Sequence, residues 1–80
     1  MILFDVRPSS IHGVGAFAKQ DLDIGTVVLV NNVIDPEPDR AGFRGFNHSS
    51  NPNVRHLDPE WKVIRLVRQG EELTVDYYTV

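Results

Sequence analysis

Apolar positions along the chain alternate with polar ones or gather in short runs, and turn-forming residues break them about every eight to twelve residues, the pattern of many short strands. No stretch reads as a long helix. Met1 to Arg7 is predicted as the first strand, ended by Pro8-Ser9-Ser10, and Gly15 to Lys19 as the second, opened by the loop Ile11-His12-Gly13-Val14-Gly15. Asp23-Ile24-Gly25 reads as a turn. Thr26 to Ile34 is apolar on both faces apart from Asn31-Asn32, which predicts a strand covered on both sides or lying centrally. Pro36 and Pro38 remove backbone donors and make Asp35 to Arg40 a loop or crossing that continues through Gly42 and Gly45. From Asn47 to Asn53 the side chains are short and polar, a composition that builds turns. Trp61 to Arg68 and Glu72 to Val80 are the last predicted strands, joined by Gln69-Gly70-Glu71. In the second of them Leu73, Val75 and Tyr77 share one face while Thr74, Asp76 and Tyr78 share the other. The sum is an all-β chain, residues 1–80 forming a single domain with several short strands in small sheets.

Composition sharpens this picture. Eighty residues bury only about 60 to 65 % of the surface exposed when unfolded, so the core is thin and a partner subunit or ligand is expected to add stability. Homo-oligomerisation is the form expected. The chain has no cysteine, which rules out a disulfide framework and a thiolate zinc site. The opening run Met1 to Phe4 is broken by Asp5 and Arg7, so no secretory leader is read and a cytoplasmic setting is expected, or the nucleus in a eukaryotic host. With a net charge of −3 the chain lacks the positive field that supports nonspecific nucleic-acid binding. Neither nucleic acid nor a membrane is an expected partner.

Three segments carry candidate chemistry. Gly13 and Gly15, two apart, allow close approach of backbone amides to a ligand, although a tight strand-entry turn needs the same residues. Phe46 to Asn53 sets His48 beside Ser49, a pairing that would serve hydrolysis with His48 as base and Ser49 or Ser9 as nucleophile, but no third, orienting group is identifiable. His48, His56 and Asp58 are metal-ligand types at an unrecognised spacing, so no metal is expected. In Glu71 to Tyr78, the paired acids read as a solvated hairpin edge and the paired tyrosines as core or interface.

Taken together and in this order, the segments resemble the three signatures of the SET-domain family of protein-lysine methyltransferases. The family's first segment reads small residue, apolar, His or Lys, Gly, x, Gly, x, Phe, met here by Ser10, Ile11, His12, Gly13, Gly15 and Phe17. Its second ends in His, Ser, Cys, x, Pro, Asn after a Phe and an Asn, and only the Cys differs, being Ser50. Its third, Gly, Glu, Glu, Leu, Thr, x, Asp, Tyr, is matched throughout from Gly70 to Tyr77. The resemblance implies a minimal SET domain, a compact β-clip whose C-terminal segment is threaded in a knot-like way. It implies transfer of a methyl group from S-adenosylmethionine to the side-chain amine of a lysine in a protein or peptide, histone-like substrates included. His12, Gly13, Val14, Gly15, Asn47 and His48 would hold the cofactor. Phe46, Tyr77 and Tyr78 would line the substrate channel, with Tyr77 catalytic. Pro52 and Asn53 would be structural.

Two features depart from the family pattern. Asp35 to Gly42 is all that stands where members carry an inserted segment forming a wall of the substrate groove, and only Tyr78, Thr79 and Val80 follow Tyr77. A second copy of the chain would then complete the groove of an active enzyme; the alternative is an inactive core that keeps the fold and cofactor binding as a scaffold. A third reading is an unrelated all-β interaction module with Phe43, Phe46 and Trp61 as its binding patch.

Overall fold

The computed structural model describes residues 3–30 and 45–78, and in these every regular element is a strand. Strand β1 (Phe4–Pro8) pairs antiparallel with β2 (Val14–Ala18), which places Phe4 opposite Ala18 and Val6 opposite Ala16. The large ring lies over small residues, so Phe4, Ala16 and Ala18 are all buried. On β2, Ala16 and Phe17 then meet Leu73 and Glu72 of β7 (Glu72–Val75), again antiparallel. β4 (Asn47–His48) pairs with β7 in parallel, Asn47 opposite Thr74 and His48 opposite Val75, giving a sheet of order β1-β2-β7-β4.

A second sheet has the order β3-β6-β5. Its strands are β3 (Val27–Val30), β5 (Val54–Leu57) and β6 (Glu60–Val63), all antiparallel. The Asp23–Thr26 turn enters β3 with Gly25 at φ +91° and Thr26 N–H donating to Asp23 O at 3.1 Å, as the Asp-Ile-Gly run predicts. Phe46, Val54, Val63, Val67 and Val75 join Phe4 and Leu73 in one core between the sheets. Within it Phe46 packs edge-on to Phe4 with centroids 5.7 Å apart.

Several expectations are corrected. β3 lies at a sheet edge among the described residues, with only Val28 buried, and not covered on both sides. The polar loop contains the two-residue strand β4, because its backbone completes the ladder beside β7. A strand at Val54–Leu57 forms a hairpin with β6, and β6 ends at Val63 instead of running to Arg68. β7 stops at Val75, and Leu73, Thr74 and Val75 are all buried, so both faces of the strand are covered there. Residues 31–44, with the Pro36/Pro38 crossing and Phe43, lie outside the described residues, as do Met1, Ile2, Thr79 and Val80.

Leu73 is fully buried in β7. Leu73→Ala should lower stability by about 3 kcal/mol in urea denaturation, the transfer loss plus an unfilled cavity.

Candidate functional site

The glycine loop is built by its own backbone. Gly13 has φ +47°, a left-handed conformation that a side chain disfavours, and Ser9 N–H donates to Gly13 O at 2.9 Å to close the turn. Gly15 is needed for space. An ideal Cβ there would overlap the Glu72 carboxylate and lie 3.2 Å from Asn47 Nδ2. That carboxylate accepts from the Ser9 hydroxyl, at 2.8 Å to Oε1 and 3.0 Å to Oε2, and from Asn47 Nδ2 at 2.8 Å. Asn47 Nδ2 also reaches His12 O at 3.0 Å and Val14 O at 3.1 Å. Two N–H bonds thus serve three acceptors, which orients the amide without ambiguity. Asn47 is only 6 % exposed, and among the described residues nothing donates to its Oδ1. An unpaired acceptor of this kind costs about 1–3 kcal/mol, and a bound N–H or O–H donor would relieve it.

β4 distributes its two side chains to opposite sides, as strand geometry requires. While Asn47 meets the glycine loop, His48 meets Tyr77. His48 Nδ1 accepts the Tyr77 backbone N–H at 3.0 Å, so that nitrogen carries no proton and its 3.8 Å approach to Asp76 is not an ion pair. The imidazole and phenol rings lie 5.1 Å apart, and the Tyr77 hydroxyl donates to Phe46 O at 2.8 Å. Tyr77 is therefore tethered at both ends to residues 46–48 although it is 61 % exposed.

A cavity of about 660 Å³ opens beside it, with Phe46, Trp61, Ile64, Val75 and Tyr77 as apolar wall and Arg55, His56 and Asp76 as polar groups. Its size suits a small ligand or one side chain of a larger one. Trp61 is held in place by Phe46 at 5.5 Å and by the stacked His56 ring at 4.2 Å.

The predicted residues thus fall into two adjoining clusters. His12, Gly13, Val14 and Gly15 gather around Asn47; Phe46 and Tyr77 line the cavity, while His48 lies outside its wall and packs against Tyr77. Tyr78 is outside the cavity wall, 84 % exposed, with its ring edge-on to His48 at 5.2 Å. Asn53 is buried and clamps β7, donating to Glu72 O at 2.9 Å and accepting from Thr74 N–H at 2.8 Å.

Sequence reading missed Glu72 and Arg55 as site residues, and it named Ser9 only as a nucleophile and Trp61 only as part of an interaction patch. The paired acids are not a solvated edge: Glu72 fills the space over Gly15, and Glu71 accepts from the Arg68 N–H at 3.1 Å and pairs with Arg65 at 3.3 Å. The signal was the absent side chain at Gly15, readable only once β2 and β7 are known to be neighbours.

Other chemistries lose ground. His48 Nδ1 is engaged by Tyr77, the Ser49 hydroxyl accepts from Asn51 N–H at 3.0 Å and the Ser9 hydroxyl is spent on Glu72, so no serine–histidine pair forms among the described residues. Nor do three His, Asp or Glu side chains converge there as a metal would need. Phe46 is a core residue, which removes it from an exposed aromatic patch. Among the described residues no helix is long and apolar enough to cross a membrane.

No family model matches the chain, and no curated protein matches it in sequence. Its fold is similar to the crystal structure of a Plasmodium falciparum "putative histone methyltransferase", with a TM-score of 0.69 over 100 % of this chain and 96 % of that one, at 14 % identity. At that identity the likeness establishes a shared fold.

Gly15→Ala should destabilise the protein by about 2 kcal/mol in urea denaturation, because the Glu72 carboxylate must leave Ser9 and Asn47. In a Glu72→Ala background the same substitution should cost at least about 1 kcal/mol less, a non-additivity that a simple backbone effect at Gly15 does not produce.

Proposed function

We propose that the chain is a SET-type domain that transfers a methyl group from S-adenosylmethionine to a lysine side chain of a protein or peptide, with Tyr77 as the catalytic residue. The observation that carries the reading is the convergence of three separated segments on β4: the glycine loop through Asn47, and the phenol of Tyr77 through His48 and Phe46. The fold shared with a protein described as a "putative histone methyltransferase" supports it.

The residues fit the cofactor. S-adenosylmethionine offers amine donors, and Asn47, buried beside the glycine loop, has an Oδ1 with no donor among the described residues, an acceptor that such a donor would satisfy. When bound, it supplies a methyl carbon to which the lysine nitrogen bonds as the carbon–sulfur bond breaks, the bonding pair leaving on sulfur.

The chain's own groups do the rest. A lysine amine of pKa about 10.4 must lose its proton before it can attack, which costs about 5 kcal/mol at pH 7. The apolar surfaces of Phe46, Trp61 and Val75 disfavour the ammonium form and so reduce this cost. The Tyr77 hydroxyl spends its hydrogen on Phe46 O, which leaves its oxygen free to accept from the amine and orient the lone pair. His48 fixes the backbone from which that phenol hangs. No strong general base is needed, since the proton leaves to solvent before attack.

One observation favours an inactive core instead, and one without the cofactor: the space over Gly15 is occupied by Glu72. The two readings separate in solution. Calorimetry should show binding of S-adenosylmethionine to the wild-type chain, and no binding at millimolar cofactor would defeat the proposal. Tyr77→Phe should lower methyl transfer to lysine peptides, followed by mass spectrometry, by at least about a hundredfold while leaving cofactor affinity within a few-fold. Binding without transfer in the wild type would identify the scaffold.

A further inference from the structure

Six lysines and arginines lie among the described residues, and five have partners. Lys19 meets Asp5 at 3.7 Å, Lys62 meets Glu60 at 3.4 Å, Arg65 meets Glu71 at 3.3 Å and Arg68 meets Asp21 at 3.5 Å. Arg7 lies 4.8 Å from the centre of the Phe17 ring. Arg55 is the exception: among the described residues it has no carboxylate, carbonyl or ring partner, and it is the lysine or arginine that lines the cavity.

Its position on the sheet makes this costly. Arg55 stands directly opposite Lys62 in the β5–β6 ladder. Cross-strand partners project to the same side, and like charges placed there repel. Glu60 is engaged by Lys62 at 3.4 Å, which leaves the Arg55 charge uncompensated among the described residues. Asp76 is the cavity's carboxylate, and its Oδ1 accepts the Tyr78 N–H at 2.9 Å. The apolar wall of Phe46, Trp61 and Tyr77 completes a cavity with an acidic group, an aromatic surface and an unpaired guanidinium.

Building on the reading of this cavity as the lysine-peptide site, we propose that Arg55 selects substrates carrying an aspartate or glutamate close to the target lysine. The guanidinium would form charge-assisted hydrogen bonds with that carboxylate, for which a lysine ammonium is a poorer geometric match. The acidic side chain would also relieve the repulsion between Arg55 and Lys62. Binding energy would thus come from a charge arrangement that disfavours the free protein.

The chain has a single tryptophan, Trp61, and it lines the cavity, so intrinsic fluorescence reads occupancy without turnover. Lysine peptides of equal length bearing Glu, Gln or Lys beside the target residue are titrated into wild type, Arg55→Gln and Arg55→Glu. Wild type should bind the Glu peptide about tenfold more tightly than the Gln peptide, Arg55→Gln should lose this preference, and Arg55→Glu should favour the Lys peptide. Arg55→Gln should be at least as resistant to urea as wild type, since it removes a like-charge pair. S-adenosylmethionine affinity should stay within about twofold in both variants.

A Glu preference that survives Arg55→Glu, its absence in wild type, or a loss of stability in Arg55→Gln would overturn the proposal. So would weakened cofactor binding with unchanged peptide preference, which would give the guanidinium to the cofactor's own carboxylate. Failure of the methyltransferase reading looks different: the peptide preference follows Arg55 while no peptide gains a methyl mass.

Discussion

One amide nitrogen holds the candidate site together. Asn47 Nδ2 touches the backbone of the glycine loop at two carbonyls and the carboxylate of Glu72, so strands distant in sequence share a single donor. Because it has two hydrogens for three acceptors, none of the partners can shift without the others gaining or losing a bond. The carboxylate in turn needs the bare Cα of Gly15 beneath it. A glycine, an asparagine and a glutamate are therefore one unit, and the loop conformation follows from it more than from local turn preference.

The reach of β4 explains how so few residues connect two kinds of surface. Its two side chains point opposite ways, one into a buried polar network and one toward an aromatic wall that faces solvent. The donor-seeking oxygen of Asn47 and the imidazole of His48 that tethers Tyr77 are separated by a single peptide unit. Chemistry that needs both a held cofactor and an open approach for a large substrate is served by that arrangement. The cavity's charge pattern adds a constraint of its own, since Asp76 favours an ammonium that the apolar wall disfavours. Phe46, Trp61 and Val75 must outweigh that carboxylate for an amine to be reactive.

Much of the β character was legible in the chain because alternation and turn residues act locally. The Asp23–Thr26 turn and the existence of strands β1 and β2 needed nothing more. The residues that gather at the site, from His12 to Gly15 and from Phe46 to His48 together with Tyr77, were legible through their order as motifs. What stayed hidden depends on register. Glu72 reads as a solvent-facing acid until Phe17 is set opposite it, and Arg55 is one more surface arginine until the hairpin sets Lys62 across from it. The uniform burial of Leu73, Thr74 and Val75 was likewise invisible, because period-two reasoning assumes a solvent face and here both faces of the strand are covered.

The placement of β7 has a consequence for biosynthesis. It is the last described strand to leave the ribosome, yet it occupies the interior of its sheet, between β2 and β4. Until it docks, both neighbours present unsatisfied ladder groups, and Ala16 and Phe46 lack their cover. A nascent chain interrupted before Glu72 would be a sticky, open-edged fragment, so productive folding of this domain waits for β7.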